Sequence, residues 1–123
     1  EFEDNLVAKL KDLRIQENEV FVFADSTIDF HTGATKRLEQ KLRSALPGKL
    51  VVVSAVCGSG FVARGRDGLN FKSLMIDQGY QRNKHVPQRA TIFVGGWNDE
   101  YWPSSTIHQA VLGTVKMVRP YQP

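Results

Sequence analysis

Three short, unbroken apolar runs constrain this chain more than any other feature: Val20-Phe21-Val22-Phe23-Ala24, Leu50-Val51-Val52-Val53 and Ala90-Thr91-Ile92-Phe93-Val94. Each is too short for a buried helix and rich in β-branched or aromatic residues. None shows the alternation of a strand with one wet face, so each reads as a strand covered on both sides. The segments between and around them carry helical periodicity instead. Thr35 to Leu46 places Leu38, Leu42, Ala45 and Leu46 on one stripe among Lys36, Arg37, Glu39, Lys41 and Arg43, and Pro47-Gly48 stops it. Residues 4–14 set Leu6, Val7, Leu10 and Leu13 on one face, the pattern of a surface helix. Ser105 to Val118, between Pro103 and Pro120, holds Ile107, Val111, Leu112, Val115 and Val118 in helical register. The connection from Gly58 to Gln88 is long and broken by glycines, and only Phe71 to Asp77 within it reads as a short helix. Strands buried on both faces and alternating with helices predict an α/β fold: a three-layer parallel sheet with right-handed crossovers, in a single domain over residues 1–123.

Composition narrows the function classes. A chain of 123 residues holds one compact domain and therefore one principal site. No run approaches the roughly 18 to 20 apolar residues of a membrane span, so no membrane partner is expected. The net charge of +3 comes from 16 basic and 13 acidic residues scattered along the chain, with no basic stripe interleaved with aromatics, so nucleic acid is not the expected partner. Cys57 is the single cysteine, which excludes an internal disulfide and any Cys-x-x-Cys metal or redox site; beside a buried strand it reads as a small apolar residue. No metal and no cofactor are expected, and nothing in the sequence specifies a compartment.

In a parallel α/β sheet, ligands gather at the carboxyl ends of the strands. The three ends here are Asp25-Ser26, Cys57-Gly58-Ser59 and Gly95-Gly96-Trp97-Asn98-Asp99, all expected on one rim. Taken alone, Asp25-Ser26-Thr27 is also a normal polar turn, and Asn98 a normal turn residue after two glycines. The aromatic group Trp97, Tyr101 and Trp102 either lines a pocket for an acyl chain or a sugar, or covers the top of the core.

The three segments together resemble, in order and spacing, the first conserved blocks of the SGNH/GDSL-type hydrolases, over Val20 to Val118. The matching residues are Ala24-Asp25-Ser26 for the family's Gly-Asp-Ser, Gly58 for the glycine after the second strand, and Gly96-Trp97-Asn98-Asp99 for its Gly-x-Asn-Asp. The resemblance implies a flavodoxin-like, SGNH-like sheet, truncated to about three strands with flanking helices. It also implies a serine ester hydrolase with Ser26 as nucleophile and an oxyanion hole built from the Ser26 and Gly58 backbone N–H groups and the Asn98 amide. Trp97, Asp99, Tyr101 and Trp102 are the expected contacts to a small ester or acetylated carbohydrate.

Two departures from the family pattern shape these expectations. Ala24 stands where the family has glycine, and no Asp-x-x-His segment occurs anywhere in the sequence, so the family's catalytic base and later strands are missing. A serine without a base is a poor nucleophile, and weak or absent activity is expected of this chain alone. Of His31, His85 and His108, His31 is nearest to Ser26 and is the candidate substitute base, or else a loop histidine. The alternative expectation is a non-catalytic carbohydrate-binding or assembly module, such as a phage tail-associated domain. An exposed third-strand edge implies pairing with a second copy or with a complementing chain.

Overall fold

The structure is a computed structural model in which residues 2–25, 33–66, 68–78, 80 and 89–121 are described. The elements run α1 (Phe2–Asp12), β1 (Glu19–Ala24), α2 (Ala34–Ala45), β2 (Leu50–Ala55), α3 (Phe71–Asp77), β3 (Arg89–Val94), a 3-10 turn (Trp97–Asp99), α4 (Ser104–Val118) and a second 3-10 turn (Arg119–Tyr121). The strands form one parallel sheet in the order β2-β1-β3. Helices cover both faces, so the expected three-layer parallel α/β architecture is the one the chain adopts. The order is that of the first three strands of a flavodoxin-like sheet.

Alternate side chains of β1 separate the core into two halves. Val20, Val22 and Ala24 point into a layer with Leu10 of α1, Leu38 and Leu42 of α2, and Val51 and Val53 of β2. Phe21 and Phe23 point the other way, among Phe71, Leu74 and Met75 of α3, Tyr80, and Met117 and Val118 of α4. Every residue from Val20 to Ala24 is buried. That explains the unbroken apolar run, since burying a large aliphatic or aromatic side chain stabilises the fold by about 1.5–3 kcal/mol and both faces of β1 are dry. The second half is aromatic: Phe61 meets Phe71 edge-on with centroids 5.0 Å apart, and Phe93 lies 5.8 Å from Phe23.

Arg89 anchors the amino end of the sheet. It is 3% exposed, its Nε donates to Glu19 Oε1 at 2.6 Å, and it faces Glu19 in register across β1 and β3. The guanidinium lies 5.1 Å from the Phe21 ring centroid and 4.7 Å from that of Tyr80, and its Nη1 donates to the Tyr80 carbonyl. A buried charge is tolerable only with such a set of partners.

Two of the helical stripes differ from expectation. Leu13 is 66% exposed because α1 ends at Asp12 and Arg14 turns the chain with φ 50. In α4 the buried residues are Thr114, Met117 and Val118, while Leu112 and Val115 are 42% and 38% exposed. Burial of Thr114 is possible because its hydroxyl donates to the Ala110 carbonyl at 2.8 Å, one helical turn back.

Candidate functional site

The parallel arrangement brings the three strand ends to one rim, as expected. β1 delivers Asp25, which is 1% exposed and whose N–H donates to the Val94 carbonyl of β3 at 3.2 Å. β2 continues through Val56, whose N–H donates to the Ala24 carbonyl, into the turn Cys57-Gly58-Ser59. β3 ends at Val94 and passes through Gly95 and Gly96 into the 3-10 turn that carries Asn98 and Asp99. Gly95 lies against Asp25: a Cβ placed there would come within 3.0 Å of Asp25 Oδ2.

Asn98 ties the three ends together. Its Nδ2 donates to the Ser59 carbonyl at 2.9 Å and reaches Asp25 Oδ2 at 3.4 Å. The first is a normal hydrogen bond and the second is long, so one amide hydrogen is held firmly and the other only loosely. Gly58 has φ 83, a conformation that side chains disfavour, and among the described residues its N–H has no acceptor. Gly65 packs under this turn so closely that a Cβ on it would sit 2.4 Å from the Cys57 carbonyl oxygen. Ala24 lies inside β1 and is not among the residues with positive φ, so alanine sits there without backbone strain.

Asp99, expected to face a ligand, is turned inward. It is 2% exposed, and its carboxylate accepts the N–H groups of Phe61, Val62 and Ala63 at 2.7, 3.1 and 2.8 Å. The carboxylate therefore holds the loop after β2 against the turn after β3. Gly60 is required beneath it, since a Cβ there would lie 2.6 Å from both carboxylate oxygens. Cys57, read from the sequence as a buried apolar residue, is exposed, because the buried run of β2 ends at Val56 and the chain turns outward at Cys57 before Ser59 is buried again.

The rim aromatics do not cover the core: Trp97, Tyr101 and Trp102 are 78%, 92% and 47% exposed. Trp102 lines an open cavity of about 460 Å³ with Phe61, Val62, Arg64, Asn70, Thr106 and Ala110, next to the loop that Asp99 holds. Ser26 and His31 lie outside the described residues, as does His85. His108 is an exposed residue of α4. Among the described residues no group of three or more His, Cys, Asp or Glu side chains could hold a metal ion, and no helix is long and apolar enough to cross a membrane.

Sequence reasoning missed the loop Phe61–Ala63 as a partner of Asp99. No sequence signal marks this contact, because the close packing of Gly60 beneath Asp99 exists only in the folded chain. Comparison with protein-family models, with curated proteins and with solved structures gives no match to this chain.

Proposed function

We propose that the rim is an SGNH-type acyl-transfer site acting on a small ester or acetylated carbohydrate, and weak in this chain because its sequence holds no Asp-x-x-His segment. The observation that carries this reading is the Asn98 bridge. One side chain links the residue before Ser26 to the residue after Gly58, at 3.4 and 2.9 Å, so the three matched blocks meet in space as well as in order. In the proposed reaction the Ser26 Oγ attacks the ester carbonyl and the carbonyl oxygen becomes an oxyanion. The N–H groups of Ser26 and Gly58 and the loosely held hydrogen of Asn98 would stabilise it, each such donor contributing about 2.7–4 kcal/mol. Collapse expels the alcohol, and water then hydrolyses the acyl-serine. The proton on Ser26 needs an acceptor, for which His31 or a group from another chain is the candidate, and without one the rate falls by orders of magnitude. The cavity beside Trp102 offers room for the acyl or sugar portion.

A second reading rests on the three exposed aromatics, Trp97, Tyr101 and Trp102. Flat exposed rings suit stacking against a sugar, and this favours a carbohydrate-binding module without turnover. Intact-mass analysis after incubation with a small fluorophosphonate separates the two, with Ser26→Ala as control. A serine-dependent adduct is expected for the hydrolase. No adduct, together with saturable binding of an oligosaccharide that Trp102→Ala abolishes, would replace it with the binding module.

A further inference from the structure

The cavity beside Trp102 has a one-sided chemistry. Phe61, Val62 and Ala110 give it apolar walls, and Trp102 adds a flat, half-exposed ring. Its polar side chains are Arg64, Asn70 and Thr106, with the indole N–H of Trp102 as a fourth polar group. Arg64 and the indole can only donate hydrogen bonds. Asn70 is left in the same position, because its Oδ1 caps α3 by accepting the Ser73 N–H at 2.9 Å and the Ser73 hydroxyl at 2.6 Å. What Asn70 still offers is its Nδ2 amide, a donor. Only the Thr106 hydroxyl can act in either sense.

Arg64 is the one charged side chain in this lining among the described residues. Its Nη1 donates to the Gly68 carbonyl at 3.0 Å, and among the described residues it has no carboxylate partner. One corner of the guanidinium is therefore braced while the rest of the planar fork stays open to a ligand. The loop that supplies Phe61 and Val62 is also set in advance, since Asp99 already binds the N–H groups of Phe61, Val62 and Ala63. A preorganised wall loses little freedom on binding.

We infer that this cavity binds an acidic sugar, a pyranose ring laid on Trp102 with its carboxylate on Arg64 and its hydroxyl oxygens on Asn70 and Thr106. The inference rests on the reading of the rim as a carbohydrate site and names the class of carbohydrate. An unsubstituted acyl chain would cover these donors without giving them an acceptor, which is costly. A neutral sugar would serve Asn70 and Thr106 but bring no anion to Arg64. A carboxylate matches the guanidinium fork with both oxygens, and such charge-assisted bonds are about twice as strong as neutral ones.

The test is an NMR titration of the whole chain with methyl β-D-glucuronide and with methyl β-D-glucoside, which carries a hydroxymethyl group in place of the carboxylate. The glucuronide should bind about tenfold more tightly, the gain expected of a hydrogen-bonded charge. Arg64→Gln should bind the two glycosides alike, and Arg66→Gln, at an arginine outside the cavity lining, should keep the preference. Circular dichroism checks that each variant folds. Equal binding of the two glycosides by the wild type, binding of neither, or loss of the preference in Arg66→Gln overturns the inference. The serine-dependent fluorophosphonate adduct reads the acyl-transfer site separately. An adduct without a preference for the glucuronide overturns the acidic sugar alone, and an Arg64-dependent preference without an adduct upholds the acidic sugar while overturning acyl transfer.

Discussion

The Asp99 carboxylate receives three consecutive backbone N–H groups while 2% exposed, so its work is to hold the loop. Removing it orphans three partly buried donors at once, which is more costly than the loss of a surface hydrogen bond. Asp99→Ala is therefore expected to destabilise the fold by about 3 kcal/mol in urea unfolding. A change under about 0.5 kcal/mol, the range of an ordinary surface substitution, would show that the loop is held by other contacts. The pair Asn98-Asp99 was visible in the sequence as a block, yet its division of labour was not. Which side chain faces the rim and which faces inward depends on where Phe61 to Ala63 run, and those residues are distant in sequence. Cys57 carries the same lesson: whether it is buried or exposed turns on the position at which β2 leaves the sheet.

At the scale of elements, α1 is fastened to α2 by charge as well as by Leu10. Glu3 accepts from Arg37 at 2.8 Å and from Lys41 at 3.0 Å, and Lys41 also reaches Asp4 at 3.1 Å. The hydrogen bond from Arg37, with help from Lys41, lowers the Glu3 pKa from the ordinary 4.5 to about 2, although burial opposes the shift. A carboxylate whose pKa is depressed on folding stabilises the fold fully above its unfolded value, and the contribution disappears as pH falls through the folded value. Stability from this contact should thus be complete above about 4.5 and lost on descending towards about 2. Solvent screening keeps it to roughly 1 kcal/mol. Urea unfolding of wild type and Glu3→Gln across that range should converge at low pH, and parallel curves would refute the assignment. The helices themselves were legible from periodicity. The buried face of α4 was not, because Thr114 counts as polar in a sequence pattern and becomes buriable only through its bond to Ala110.

For the whole molecule, β1 is the centre of stability: it pairs on both sides and is dry on both faces. Native-state hydrogen exchange should find the slowest amides within Val20 to Ala24, opening only with global unfolding, while the Gly58–Gly68 loop exchanges through local openings. Faster exchange in β1 than in β2 or β3 would contradict the central role. By itself the sequence determined the strands, the helices and the parallel sheet, because unbroken and helically spaced apolar runs report burial locally, and it placed the three strand ends on one rim. Only the tertiary structure decided that Asp99 points inward, that Cys57 points out, and that the β2 edge of the sheet is closed by Glu39 and Arg43. These outcomes depend on which distant backbone groups come within hydrogen-bonding range, and no local pattern encodes that distance.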